Sequence, residues 1–428
     1  MVKRIPWLIP VLSLFWSVPP FTIGQTPMEY HRIQQRGNIH GSVMGPGGMV
    51  IIKGESIVEY DERILGGNGS GNALRTLRHY HKANLVKDQG GQLGEGQLRN
   101  GLNPLVILRQ GTTEVPFSPR GPMTLGEVDL LRTDVFVGAL KGLLPPRDTP
   151  PGGSWEATEE AVCELTDLER IQKGSLKCTL TGLATGASAG QVTFQGTVLG
   201  PQEEGLARHE ISGSLEPDGV GSIRHLELKA TQVLLGPGET ERGRIVGRFS
   251  LDRRAVPPVP SLADPSLVGL KLFPDEFNSR LLVEIPGLGL GFTMSRRWRI
   301  ISQSEKQVRF GLPGGAEMVL TLEGANLLPG LGEMVQEAKL QLQKEKHRPG
   351  EPTPPVAKDG KGIRMDYTTV GVLLQDGSQN RWMYGVSRLQ SNAGGLLAGR
   401  FPRTSWVFWD RELEESQRLG LSLYKLAK

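Results

Sequence analysis

The chain has 428 residues, of which 22% are charged and 38% are apolar, values that are ordinary for a globular protein. Its formal net charge is +4, and its lysines and arginines are scattered among acidic residues, so the composition does not indicate a nucleic-acid partner. Beyond the N terminus no run is long and apolar enough to span a bilayer, so we predict no transmembrane anchor.

Residues 1–24 have the pattern of a secretory signal peptide. Lys3 and Arg4 precede an apolar run, Ile5–Val18, which is shorter than the roughly 20 residues that a transmembrane helix needs. A short interfacial anchor is the alternative interpretation. Because no cysteine lies near this segment, there is no lipobox and we expect no lipid anchor. The segment predicts export by a Sec-type signal to the periplasm or the medium.

Residues 25–254 predict an antiparallel β-sandwich or a partly open barrel. The 57 glycines and 30 prolines of the chain separate many short runs. Several runs alternate apolar and polar residues, as half-buried antiparallel strands do: Val192–Val198, Ile211–Leu215, Leu226–Ala230 and Ile245–Leu251. Gly196, Gly213 and Gly247 fall on inward positions, where they either leave room for a ligand or permit the sheet to bend.

One helix is expected inside this β region. Thr124 followed by Glu127 forms a capping box, in which each side chain satisfies a backbone N–H of the first turn. The buried stripe of this helix is expected to consist of Val128, Leu131, Val135 and Leu140.

The chain has two cysteines, Cys163 and Cys178. In an exported protein this pair predicts a disulfide, and closing a loop of this size stabilises the fold by about 3 kcal/mol in the chain-entropy model. Both cysteines lie in strand-like runs, Ala161–Leu165 and Leu176–Leu180, so a bond across a hairpin is geometrically reasonable. Two buried free thiols are the alternative.

The prolines of Ala255–Pro265 indicate a domain boundary, with a stiff linker over residues 255–270. Residues 271–428 then predict an antiparallel sheet packed with helices, an α+β layout. Helices are expected at Leu331–Lys346 and Asp410–Ala427, and His347–Gly362 is expected to be an exposed, mobile loop. Strands are expected at Leu281–Ile285, Arg297–Ile301, Gln307–Leu312, Met318–Leu322, Ile363–Thr369, Arg381–Ser387 and Leu396–Phe401.

The motifs of the chain indicate no catalytic or metal site. Gly186–Gly190 matches G-x-S-x-G around Ser188, but alternating strands flank it where a nucleophile elbow needs a helix. His79 and His81 would lie on one face of a strand as half of a metal site, yet zinc needs three or four ligands. Leu288–Gly291 lacks the complete glycine-rich phosphate motif. We therefore predict no catalytic residue, no metal ligand and no cofactor.

Trp406, Phe408 and Trp409 form an aromatic cluster near the C terminus. Such a cluster can line a ligand groove, so these three residues mark a possible ligand groove. The alternative is that they anchor the last helix to the sheet.

The run Pro116–Thr124, followed by Glu127–Leu131 and Gly153–Trp155, resembles a family of exported proteins abundant in planctomycete-type bacteria. The resemblance covers roughly Leu74 to Arg254. It implies a secreted β domain and brings no assigned activity.

Residues 281–428 resemble the PsbP/LpqN-type α/β/α sandwich. The residues that carry this resemblance are Gly291-Phe292-Thr293 leading to Arg297-Trp298, together with the order of strands and helices. Domains of this type are similar to binding and assembly modules without a shared catalytic site, so the resemblance assigns no functional residue here.

These observations predict an exported, non-catalytic binding or structural protein of the cell envelope. Its partner is expected to be an envelope protein or an apolar ligand, with no nucleic acid involved. One alternative is a carrier that holds an apolar ligand or lipid in the β domain. The other is an enzyme of a type that the sequence does not reveal.

Overall fold

A computed structural model describes most of the chain from residue 30 onward. The described residues are 30–45, 47–65, 73–110, 113–132, 134–181, 190–202, 205–218, 221–285, 290–304, 307–312, 317–323, 330–360, 363–390, 396–401, 414–415, 417–419 and 421–425. Three sequence predictions fall outside them: the signal peptide at residues 1–24, the loop with Ser188, and the aromatic cluster of Trp406, Phe408 and Trp409.

The alternating segments form one large, open antiparallel sheet of twelve strands, which confirms the β-rich prediction. Within the described residues its strand order is β6-β5-β3-β2-β1-β13-β12-β11-β10-β9-β8, with β4 paired to β3. The first strand therefore lies beside the last one. The ranges are β1 Tyr30–Gly45, β2 Gly48–Ile64, β3 Ala73–Gln89, β4 Gln92–Gln97, β5 Leu105–Gln110, β6 Thr113–Phe117, β7 Met123–Thr124 (in another sheet), β8 Ser154–Glu156, β9 Lys173–Thr181, β10 Gln191–Gln202, β11 Gly205–Pro217, β12 Ile223–Leu235 and β13 Glu241–Val256.

A helical insert between β7 and β9 packs on one side of this sheet, called the inner face below. It comprises α1 (Leu125–Leu131), a 3₁₀ helix (Val137–Leu143) and α2 (Glu159–Thr166). The capping box is confirmed, since the Glu127 N–H donates to Thr124 Oγ1 at 3.2 Å. However, α1 ends at Leu131, before the end of the predicted stripe. One hydrophobic core joins the insert to the inner face through Leu130, Leu140, Val162, Ile33, Tyr60 and Phe194.

The glycines of the inner face allow close backbone approach. A Cβ at Gly196 would overlap the carbonyl oxygen of Ser175, and one at Gly213 would overlap both the Glu227 carbonyl and the Phe194 ring. Glycine is therefore required at these two positions, where neighbouring groups approach the backbone closely. The Phe194 ring occupies the space beside Gly213, so that glycine leaves no room for a ligand.

The predicted disulfide is wrong, because both cysteines are free and buried. Cys178 lies on β9 as expected, but Cys163 lies on helix α2 and not on a strand. The helix forms because Thr158 caps its N terminus, accepting from the Ala161 N–H at 3.4 Å. Burial raises the pKa of each thiol to about 11, so both stay protonated at neutral pH.

The proline-rich segment after β13 folds back on the outer side of the large sheet. It contains a 3₁₀ turn (Pro260–Leu262) and helix α3 (Asp264–Leu267). Arg63 Nη1 donates to the Leu262 carbonyl at 2.7 Å, and the Arg75 guanidinium lies 4.2 Å from the centroid of the Phe273 ring. The segment is thus packed against β2 and β3 over much of its length, while the domain boundary itself stays a prediction.

Two further sheets follow. Their elements are β14 Leu281–Ile285, β15 Leu290–Met294, β16 Arg299–Gln303, β17 Gln307–Gly311, β18 Glu317–Glu323, α4 Leu331–Lys344, β19 Arg348–Pro352, β20 Val356–Gly360, β21 Ile363–Leu373, β22 Gln379–Gln390, β23 Leu396–Phe401 and β24 Tyr424–Lys425. The smaller sheet has the order β24-β15-β14-β7, so β7 connects it to the first half of the chain. The larger has the order β16-β17-β18-β23-β22-β21-β19, with β20 also paired to β21.

Two predictions in this region are corrected. His347–Gly362 is not a mobile loop, because it contains β19 and β20, which both pair with the long strand β21. The prolines of β19 are compatible with its place at the edge of the sheet. The last helix is present at residues 414–415, 417–419 and 421, and β24 follows it, so it does not reach Ala427. Among the described residues, no helix has the length and apolar character needed to cross a membrane.

Candidate functional site

One of the two histidines singled out by the sequence, His81, is held by an ion pair on the outer side of the large sheet. His81 Nε2 lies 2.7 Å from Asp61 Oδ2, and Arg32 binds the same carboxylate through Nε at 2.8 Å. The His79 and His81 rings lie 5.3 Å apart between centroids. Over the described ranges no three His, Cys, Asp or Glu side chains are grouped as metal ligands.

A cluster of buried charges lies on the inner face, at positions that sequence reasoning missed. The Arg78 guanidinium on β3 is fully buried and donates to Glu62 at 3.0 Å and to Asp134 at 2.8 Å. The Tyr80 hydroxyl donates to Asp134 at 2.8 Å. Burial raises the pKa of Asp134, and the Arg78 charge opposes that shift. Since Asp134 follows α1, these bonds fasten the insert to the sheet.

Arg109 on β5 makes a second set of inner contacts. It donates to Glu114 at 2.8 Å and to Glu164 on α2, whose other oxygen accepts from the Phe136 N–H at 2.5 Å. Arg109 and Arg78 both lie 5.5 Å from the centroid of the Phe136 ring, so the two sets adjoin. Burial raises the pKa of Glu164 to about 8, and the Glu114 carboxylate adds to that shift.

This inner charge cluster (Glu62, Arg78, Arg109, Asp134 and Glu164) connects the insert to the sheet. Its arginines are paired with carboxylates that are themselves buried, which is the arrangement expected of a structural network. A signal was present in the sequence, because Glu62 and Arg78 stand on the same strand faces as Tyr60 and Tyr80. Finding their partners required the register of β2 with β3.

On the opposite side of the sheet, the outer face, exposed polar side chains cross five neighbouring strands in register. From β13 to β9 this outer row consists of Arg248, Lys229, Ser212, Gln195 and Lys177. Arg248 and Lys229 are directly opposite each other, an arrangement that destabilises a sheet through repulsion. No ion pair of these two side chains is present within the described part of the chain.

The outer row belongs to a basic surface. On the outer-face positions of β1 and β9–β13, lysines and arginines outnumber acidic residues. Two of the arginines, Arg32 and Arg244, are paired with Asp61 and Glu241. The basic residues include Arg32, Arg36, Lys173, Lys177, Arg208, Lys229, Arg244, Arg248 and Arg254, and the acidic ones include Glu210, Glu216, Glu227, Glu241 and Asp252.

Two grooves lie along this basic surface. The wider one, the row groove, has a volume of about 650 Å³ and follows the outer row and the next row of residues, which includes Thr197, Glu210 and Thr231. The second groove, of about 540 Å³, is lined by Arg32, Arg224 and Arg254 together with the carboxylates of Glu216 and Asp252. Cations and hydroxyls arranged in this way can bind carboxylate, sulfate or phosphate groups. The alternation of apolar and polar residues predicts that each of these side chains points outward. Their arrangement in a row depends on the register of five paired strands.

No family model and no curated protein matches the chain. PsbP from Synechocystis sp. PCC 6803 is 14% identical, with 34% of this chain and 92% of that chain covered and a TM-score of 0.27. DynF from the dynemicin biosynthesis pathway of Micromonospora chersina is 10% identical, covering 60% and 94%, with a TM-score of 0.18. MucB, in its complex with MucA, is 11% identical, covering 92% and 94%, with a TM-score of 0.12.

At these TM-scores none of the three likenesses carries an argument about this chain. The expected resemblance to exported planctomycete-type proteins stays a prediction, and the PsbP likeness is limited to about a third of the chain.

Proposed function

We propose that the protein is an exported, non-catalytic binding protein of the cell envelope, and that the basic outer face holds an anionic ligand. The observation that carries the proposal is the outer row, in which Arg248 and Lys229 are directly opposed. Like charges directly opposite each other on paired strands destabilise a sheet. An anion bound across the row would relieve this repulsion.

The composition of the row groove supports binding without catalysis. Its lining residues supply cations, three hydroxyls, one amide and the Glu210 carboxylate, and they include no histidine, cysteine or aspartate. Ser212 therefore has no imidazole base beside it in the groove. Its volume of about 650 Å³ is within the range of small-ligand sites.

The finer expectations from the sequence remain part of this proposal. They are export by the signal at residues 1–24 to the periplasm or the medium, and a PsbP-like α/β/α sandwich over residues 271–428. An envelope location would expose the basic face to the anionic polymers that surround bacterial cells.

The test is a binding measurement with a labelled polyanion, heparin, at about 0.15 M ionic strength, where weak surface attraction is largely screened. We expect saturable binding that the double variant Lys177→Glu, Lys229→Glu weakens by about tenfold or more, which corresponds to about 1.4 kcal/mol. The matched control is Lys53→Glu, Lys82→Glu, which makes the same change in net charge on the outer face of β2 and β3. Equal losses in both variants would show that net charge alone is responsible and would overturn the proposal.

A carrier of an apolar ligand is the second candidate, favoured by one observation. Ile39 stands on the inner side of β1, in register with Gly54 and Gly247, and is nevertheless 39% exposed. Native mass spectrometry of the protein from its own host distinguishes the two candidates. A bound lipid at defined stoichiometry would favour the carrier.

A further inference from the structure

We infer that the ligand of the row groove is an acidic polysaccharide, a linear glycan in which carboxylate or sulfate groups are separated by uncharged sugar hydroxyls. The inference rests on the proposed function and names its ligand class. Three features of the groove carry it: the spacing of its cations, the position of Glu210, and the side chains that the surface lacks.

The cations of the outer row are separated by neutral hydrogen-bonding groups. Lys229 and Lys177 stand on strands three apart, which places their backbones about 14 Å from each other at the usual strand spacing of about 4.8 Å. Ser212 and Gln195 occupy the two strands between them. A ligand lying along the row thus meets the adjacent cations Arg248 and Lys229, then two neutral polar groups, and then another cation. Intermittent acidic groups separated by hydroxyls match this order.

Glu210 disfavours a ligand with a charge on every unit. It lies in the neighbouring row on β11, between Thr231 on β12 and Thr197 on β10, and all three line the groove. A carboxylate at the centre of the groove repels a uniformly charged polymer such as polyphosphate. The same carboxylate accepts hydrogen bonds from sugar hydroxyls, as the two threonines also can.

The surface lacks the groups that single-stranded nucleic acids need. Binding of single strands relies on aromatic side chains that stack on the bases, each worth about 1–3 kcal/mol. Over the described outer-face positions of β1 and β9–β13, the Phe, Tyr or Trp side chain present is Tyr30, which is only 4% exposed because it packs under the segment that follows β13. Phe194 and Phe249 of these strands are on the inner face, in register with Gly213 and Leu228.

The test compares ligands by calorimetry at about 0.15 M ionic strength. The probes are hyaluronan oligosaccharides with one carboxylate in each disaccharide, their methyl-esterified uncharged form, κ-carrageenan oligosaccharides with one sulfate in each disaccharide, polyphosphate and single-stranded DNA. We expect the hyaluronan or the carrageenan oligosaccharides to bind at least about tenfold more tightly than the esterified glycan and than polyphosphate. Which of the two acidic glycans binds better distinguishes carboxylate from sulfate as the acidic group.

Two variants sharpen the result. Glu210→Gln should strengthen polyphosphate binding by several-fold and leave the glycan at or below its original affinity. The double variant Gln195→Ala, Ser212→Ala should weaken the glycan by several-fold with little effect on polyphosphate. Thermal unfolding of each variant confirms that it is folded.

The outcomes separate the two proposals. Polyphosphate or DNA binding as tightly as the glycans, unchanged in Glu210→Gln, would overturn the polysaccharide inference and leave the anionic ligand standing. Absence of binding to every polyanion would overturn the proposed function itself.

Discussion

The two faces of the large sheet both carry charged residues, but they arrange them in opposite ways. On the inner face Arg78 and Arg109 lie beside carboxylates that are also buried. On the outer face Arg248 lies opposite Lys229. Burying an unpaired charge costs several kcal/mol, whereas like charges in water repel only weakly. Stability therefore determines the inner arrangement, whereas the outer arrangement is under no such constraint.

The most severe way to break the inner arrangement is to remove its central cation. Arg78→Met leaves Glu62 and Asp134 buried without their shared partner. Breaking a buried pair in this way typically lowers the free energy of unfolding by about 3–5 kcal/mol. Denaturant unfolding followed by circular dichroism measures the loss.

The control for that variant is Arg254→Met, on the exposed outer face. It should change the free energy of unfolding by no more than about 0.5 kcal/mol. Similar losses in both variants would mean that the inner charge cluster has no special structural role.

The pH dependence of stability probes the same cluster. Burial raises the pKa of Glu164 from 4.5 to about 8 in the folded protein, so the folded state keeps a proton that the unfolded state releases at lower pH. Its contribution to stability is complete below pH 4.5 and is lost as the pH rises to about 8. We therefore expect the free energy of unfolding to fall with rising pH over this range.

Glu164→Gln should flatten that dependence, most clearly between pH 6.5 and about 8. Below pH 6.5 the buried His209 makes the free energy of unfolding rise with pH, opposite to the effect of Glu164, because burial lowers the pKa of His209 to about 4. Its stabilising effect is present above pH 6.5 and disappears as the pH falls to about 4. An unaltered slope above pH 6.5 in Glu164→Gln would show that another group binds the proton.

The smallest expected effect is an increase in the free energy of unfolding. Lys229→Glu replaces a like-charge pair with Arg248 by an opposite-charge pair, so it should raise the free energy of unfolding by about 0.5 kcal/mol. The same variant should bind heparin less tightly. Lys53→Glu is the mirror-image control, since Lys53 lies opposite Asp88 and its reversal should destabilise. Loss of stability in Lys229→Glu would contradict our account of the outer row.

Local sequence patterns predicted the elements well where one physical signal dominated. The alternation from Val192 to Val198 gave β10 and its inner face, and Thr124 with Glu127 gave the start of α1. At Cys163 two signals competed, because a short apolar run can be either a strand or a helix. The N-cap at Thr158 favours the helix.

The candidate site was much less predictable. Lys177, Lys229 and Arg248 are far apart in the sequence and lie among acidic residues. The sequence therefore shows no run of basic residues at these positions. They form a row because β9 to β13 pair with one definite register, which long-range packing sets. The same holds for β19, whose prolines suggested a loop until its pairing with β21 was seen.

The seam between β1 and β13 has a consequence for the order of events during biogenesis. Tyr30 pairs with Val256, and Arg32 lies beside Arg254, so the middle of the sheet joins residues from its two chain ends. A chain that crosses a membrane N terminus first cannot close this seam until β13 has emerged. Such long-range pairing slows folding, so under the export that we propose the charged outer surface would form only after passage.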